Sequence, residues 1–222
     1  MERDLNFSEE TDGRLYTSRD MVKIGCQDCK GCYSCCEDME DTIVIDPYDS
    51  WRMRVGLKQS FEEMCETGVE LTATEGLLLP HLRNTGNNGR CVYLNKEGRC
   101  SIHPYRPGIC RLFPLARLYD GDEFKYIIQV NQCPATNRRK VRIEKWLETP
   151  GIKYYETYLS RWHRICRLTR LILGNSEDSV ESKKQLIFVF YKLFYQKIEP
   201  SEDFYEQFDK VASTYEKVLG ME

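Results

Sequence analysis

Cys26-Gln-Asp-Cys29-Lys-Gly-Cys32-Tyr-Ser-Cys35-Cys36 is the stretch from which the rest of the chain has to be read. It holds five of the eleven cysteines in 222 residues. Repeated C-x-x-C steps put several thiols on one short loop, close enough to converge on a metal ion or an iron–sulfur cluster. Four more cysteines, Cys91, Cys100, Cys110 and Cys133, follow in turn-like contexts. Such a loop has little apolar surface of its own, so metal ligation is expected to couple its folding to the cofactor. The expected fold is α+β: a small loop-rich metal-binding core with short strands, followed by a helical C-terminal subdomain.

Working outward, residues 1–22 are polar, without periodicity, and read as a loosely tied lead-in. Residues 23–137 form the expected cysteine-cluster domain, and 138–222 the helical subdomain. Thr42-Ile-Val-Ile45 suits a short strand. Asp46-Pro47 offers an N-cap and a proline at the first helical position, opening a helix that Gly56 should end. Ser60-x-x-Glu63 is a capping box for a second helix stopping at Gly68. Leu77-Leu-Leu-Pro80 reads as extended, with Pro80 favouring an edge. Turn clusters stand at 84–89 and 95–98, and Asp120-Gly-Asp-Glu123 turns a hairpin joining 115–119 to 124–130. From Val141 the pattern is helical. Tyr155, Tyr158, Leu159, Trp162, Ile165 and Ile172 share one stripe that Gly174 closes, and two further helices are expected at about 179–198 and 202–219.

A formal charge of −3 argues against a dedicated nucleic-acid binder, and none is expected as a partner. Charge is nonetheless uneven: residues 138–170 carry ten Lys or Arg against three Glu, while 199–209 are acidic. The first residues show no basic stretch leading into an apolar one, and no apolar run approaches the ~20 residues of a membrane span. The chain is therefore expected to be cytoplasmic. In a reducing compartment many cysteines mean metal ligands or redox chemistry, not a disulfide framework. The G-x-G-x-x-G and Walker A motifs are absent, as is C-x-x-x-C-x-x-C, and three scattered histidines give no catalytic triad.

The run Cys26-x-x-Cys29-x-x-Cys32-x-x-Cys35, with Cys133-Pro134, resembles the loop of a bacterial ferredoxin, but a second run is missing. A broader resemblance starts at Cys29-x-x-Cys32-x-x-Cys35-Cys36 and continues through Cys91-Val-Tyr-Leu. It then takes in the block Gly98-Arg-Cys100-Ser-Ile-His103-Pro-Tyr-Arg106-Pro107-Gly-Ile-Cys110-Arg111-Leu-Phe-Pro114, and ends at Cys133. In this order the segment from about 26 to 134 resembles the YkgJ-like CxxCxxCC cysteine-cluster family, to which zinc or iron chelation is ascribed. The resemblance implies eight ligands, Cys29, Cys32, Cys35, Cys36, Cys91, Cys100, Cys110 and Cys133. Cys26 is additional, as a variant ligand, a spare or a redox partner. Eight thiolates suit two four-thiolate sites or one site with surplus thiols. Adjacent Cys35 and Cys36 are expected to split between sites more easily than to share a tetrahedral ion.

Spacing leaves zinc and a 4Fe–4S cluster both open, with the four-step run and the Cys-Pro inclining towards iron–sulfur. Arg106 and Arg111 are candidates for hydrogen bonds to cluster sulfurs or for an anionic substrate. His103 reads mainly as a loop-packing residue, and Cys65 and Cys166 as small buried residues on helices. Three functions follow as expectations. The first is an iron–sulfur protein with a redox role, possible oxidoreductase chemistry and an unknown protein or redox partner. The second is a protein-lysine methyltransferase using S-adenosylmethionine, because the cysteine domain also resembles that of flagellin lysine N-methylases. The third is a zinc-stabilised interaction module.

Overall fold

Local signals set most element boundaries. The computed structural model describes residues 6–26, 32–37, 42–74, 76–85, 89–175 and 179–220. Near the N-terminus stand a single helical turn, α1 (Phe7–Glu10), and strand β1 (Met21–Gly25). The segment between them is tied down despite its polarity, because Tyr16 exchanges backbone hydrogen bonds of 2.8 and 2.9 Å with Tyr126, and Thr11 bridges Gln129. Backbone pairing needs no apolar periodicity, so the loose lead-in expected from composition is not what forms.

Residues 42–45 run extended beside a later strand, with Val44 bridging His81 and the Ile45 amide donating to the Pro80 carbonyl at 2.8 Å. Helix α2 (Pro47–Leu57) starts on the Asp46 cap, whose carboxylate accepts from the Asp49 amide at 2.8 Å. It runs through Gly56 and ends where Lys58 turns left-handed at φ 55°. Helix α3 (Phe61–Thr67) has both arms of the Ser60/Glu63 capping box and stops at Gly68. Strands β2 (Val69–Thr74) and β3 (Leu77–Leu82) then pair antiparallel, as do the two-residue strands β4 (Asn84–Thr85) and β5 (Arg90–Cys91).

Helix α4 (Gly108–Leu112) leads into the expected hairpin, β6 (Leu115–Asp120) with β7 (Glu123–Ile128). Strand β8 (Arg139–Arg142) returns across the chain to pair with β1, placing Val22 opposite Val141. The C-terminal part holds α5 (Ile143–Trp146), the long α6 (Ile152–Gly174), α7 (Val180–Tyr191) and α8 (Phe204–Val218). After α7 a π-turn over Lys192–Gln196 buries Leu193, Phe194 and Tyr195 consecutively, which an α-helical face cannot do.

The chain is thus α+β, with short antiparallel strand pairs and a C-terminal helical region. One hydrophobic cluster joins Ile45, Met53, Met64 and Leu79 to Trp162, Phe190, Phe208 and Tyr215, so the helices close over the strand region. A second, smaller cluster gathers β1, α4, the hairpin and α5 around Ile24, Leu115, Tyr126 and Ile143. The uneven charge is partly consumed internally. Arg161 and Arg164 on α6 reach Glu216 on α8 at 2.6 and 2.8 Å, and Arg161 also pairs with Asp209. No helix among the described residues is long and apolar enough to cross a membrane.

Candidate metal centre

Four separate pieces of chain bring cysteines of the sequence motif to one cavity of about 610 Å³. Cys35 and Cys36 sit on a 3-10 turn (Ser34–Cys36) closed by the Cys36 amide on the Tyr33 carbonyl at 2.7 Å. Cys91 ends β5 opposite Asn84, where the strand pair fixes its direction. Cys100 bridges Leu94 across a turn that the Asn95 side chain holds, its oxygen accepting from the Glu97 and Arg99 amides at 3.1 and 2.8 Å. Within that turn Gly98 has φ 69°, and a Cβ there would stand 2.9 Å from the Tyr33 ring. Cys110 comes from α4.

The loop carrying Cys100 and Cys110 is anchored by buried charge. Asp49 on α2 accepts from the Gly108 amide at 2.7 Å and from the Arg111 guanidinium at 3.3 Å. Arg111 also donates to the Arg106 carbonyl at 2.6 Å and faces the Tyr48 and Tyr155 rings. Burial pulls its pKa down and Asp49 pulls it up, with a net rise. Arg111 therefore holds the loop and is only 1% exposed, which takes it out of the role of anion receptor. Arg106 donates to His103 Nε2 at 2.7 Å, and its charge acts on Cys35 and Cys100.

The thiols act on one another. Cys36 feels Cys35, Cys91 and Cys110, and Cys110 feels Cys91, Cys100 and Cys35. Burial first, then neighbouring sulfur charge, pushes the Cys110 thiol well up; burial also raises Cys91 and Cys100. Cys35 is pulled down to about 7, chiefly by its hydrogen bond with Cys36 and with help from Arg106, while Cys36 is pushed up. Thiols whose ionisation is opposed by burial and by neighbouring sulfur charge are suited to a cation, whose charge offsets both. The donors are all sulfur, the set that selects zinc or iron–sulfur.

Among the described residues no three His, Cys, Asp or Glu side chains are yet closed to coordination distance, so the sulfurs line walls instead of meeting at a point. The Cys35 and Cys36 sulfurs are 4.0 Å apart. The edge of a thiolate tetrahedron with bonds of about 2.3 Å is about 3.8 Å, so sequence adjacency does not by itself keep the two off one ion.

The remaining candidates are placed differently. Cys32 lines the same cavity, with its sulfur 3.7 Å from Ser34 Oγ. Cys29 lies outside the described residues. Cys26 follows β1, and Cys133 offers its carbonyl to the Arg138 guanidinium; neither is among the cavity-lining residues. His81 is fully buried between the Thr74 hydroxyl and the Leu79 carbonyl, at 3.2 and 2.9 Å.

Sequence reasoning missed Asp46, Asp49, Arg117, Tyr119 and Arg170 as walls of the cavity; His163, to which the sequence gives only a weak claim, lines it too. Cys166, read as a small buried residue, is buried but also lines this space. A signal existed for Arg117, since strand alternation puts it on the face shared by Leu115 and Tyr119.

A family model described as a "putative zinc- or iron-chelating domain", CxxCxxCC, matches residues 28–140, just over half of the chain. The chain belongs to this family. The matched segment carries every candidate ligand except Cys26, and the family's description supports metal binding by it. No curated protein and no solved structure matches the chain.

Proposed function

We propose that this CxxCxxCC protein carries an iron–sulfur centre with a redox role, its ligands drawn from Cys35, Cys36, Cys91, Cys100 and Cys110. The convergence of these five thiols, from four pieces of chain, on one cavity carries the reading. The same cavity is also walled by Arg117, Tyr119, Leu159 and Trp162, and a centre sharing its space with such walls suits chemistry better than a structural zinc site closed by its four ligands. A bound cluster would supply one-electron transfer; the chain's own part is to gather the thiolates and offset their charge with Arg106.

Cys26, Cys29, Cys32 and Cys133 are proposed as further ligands. Pairing of Gly25 with Arg139 brings the chain at Cys26 towards Arg138, which holds the Cys133 carbonyl. Residues 23–137 are proposed as the metal-binding unit and 138–222 as its helical support. A single zinc ion is the second reading, favoured by the 4.0 Å separation of Cys35 and Cys36. Methyl transfer stands on the sequence resemblance alone.

The test is anaerobic purification followed by measurement of iron, zinc, acid-labile sulfide and the visible spectrum. Iron with matching sulfide and absorption near ~400 nm supports the first reading. Zinc without sulfide replaces it with the second, and protein free of both metals refutes both.

A further inference from the structure

At about 610 Å³ the cavity is far larger than an ion requires and falls among the volumes typical of small-molecule sites. Its walls away from the cysteine loops come from β6, α6 and the start of α2. Tyr119 and His163 stack there with ring centres 3.8 Å apart and 10° between planes. Leu159 and Trp162 add apolar surface. Arg99, Arg106, Arg117 and Arg170 line the whole space against Asp46 and Asp49, and Asp49 is already paired with Arg111.

Arg117 is held in the wall by aromatic hydroxyls and rings, and Tyr119 also hydrogen-bonds it. Its Nη2 donates to the Tyr155 hydroxyl at 3.3 Å, and its guanidinium faces the Phe124 and Tyr155 rings at 5.8 and 6.0 Å. Its Nε is buried without a hydrogen-bond partner. Among the described residues no carboxylate stands within ion-pair distance of it, unlike Arg106 and Arg111. Asp46 exerts the main carboxylate influence on Arg117 and lines the same cavity, but one of its oxygens is engaged in capping α2. A half-buried guanidinium with no carboxylate at ion-pair distance keeps donors to spare, and its fork matches the oxygens of a carboxylate or phosphate.

We propose that the cavity binds a small oxyanion-bearing molecule, a carboxylate or a phosphate, with Arg117 as its anchor and the Tyr119–His163 stack and Trp162 against its body. The proposal does not depend on which metal the thiols hold.

Isothermal titration calorimetry on the purified full-length chain tests it, with inorganic phosphate and benzoate as probes and metal content measured on the same samples. One equivalent of at least one probe is expected to bind saturably, and Arg117→Gln to weaken that binding at least tenfold at unchanged metal content. The probe that saturates identifies the class. Absence of saturable binding by both probes, or wild-type affinity in Arg117→Gln, overturns the proposal. Should Arg117→Gln fail to fold, Arg117→Lys keeps the cation but loses the fork. At least threefold weaker binding there supports the anchor, and unchanged affinity overturns it. The metal assay reports on the thiol centre separately, so either reading can fail alone.

Discussion

Asp49→Ala is the perturbation that asks most of the anchoring argument. Asp49 and Arg111 are 2% and 1% exposed, so neither charge has water to fall back on. Removing the carboxylate leaves a buried guanidinium without its ion pair and the Gly108 amide without its acceptor. Breaking one side of a buried pair costs about 3–5 kcal/mol. The stranded amide is part of the same local collapse, so its cost of about 1–3 kcal/mol is not added in full. At about 2–4 °C per kcal/mol for a chain of this size, the melting temperature should drop by about 6–20 °C. The assay is thermal and urea unfolding by circular dichroism, with bound metal quantified before each run. Metal content should fall as well, because Gly108 and Arg111 flank Cys110. Pairing Asp49→Leu with Arg111→Met completes a cycle, and the double variant should be more stable than the two single losses predict. A loss below about 1 kcal/mol, or strictly additive losses in the cycle, would refute the claim that this pair holds the loop.

Three further outcomes follow from other contacts. Burial, then the charge of Asp49, pushes Asp46 from its ordinary 3.8 up to about 7. Between those values the native state keeps a proton that the unfolded state has released, so this group makes stability fall as pH rises through the window. Asp46→Asn keeps a capping oxygen and removes that dependence. Its stability relative to wild type should rise between pH 5 and pH 8 in urea titrations, and a constant difference would show that Asp46 ionises normally. Gly56→Ala places a Cβ 2.1 Å from the Tyr105 ring, on the turn that leads from Cys100 to Cys110. Overpacking of about 1–3 kcal/mol should outweigh the ~1 kcal/mol that alanine gains in a helix, and a raised melting temperature would mean the turn does not rest on α2. Cys110→Ser should lose metal while Cys65→Ser, on α3 away from the cavity, should keep it; equal metal content in the two would dismantle the ligand assignment.

What the sequence made legible was governed by short separations. The Asp46 cap, the Ser60/Glu63 box, the 120–123 turn and the α6 stripe each depend on residues within a few positions of one another, and each formed. Strand β8 escaped because Arg139-Lys-Val-Arg142 looks like solvated charge until β1 pairs with it from more than a hundred residues upstream. The π-turn escaped because three consecutive buried side chains match neither helical nor strand periodicity. The gathering of Cys35, Cys36, Cys91, Cys100 and Cys110 was implied by the family motif. That Cys26 and Cys133 are not among the residues lining that cavity was not.

Two arginines six positions apart show why the site was harder to read than the fold. Arg111 and Arg117 are the same residue in adjoining segments, and both end beside Tyr155. Their fates are decided by Asp49, sixty-two positions before Arg111, which supplies one guanidinium with a carboxylate and leaves the other without one. Local rules say where a charge can be tolerated on a helix or strand, but not which distant element will neutralise it. The arginine whose counter-ion the fold provides is therefore part of the scaffold. The one whose counter-ion the fold withholds, facing a chamber large enough for a molecule, is where recognition is most economically placed.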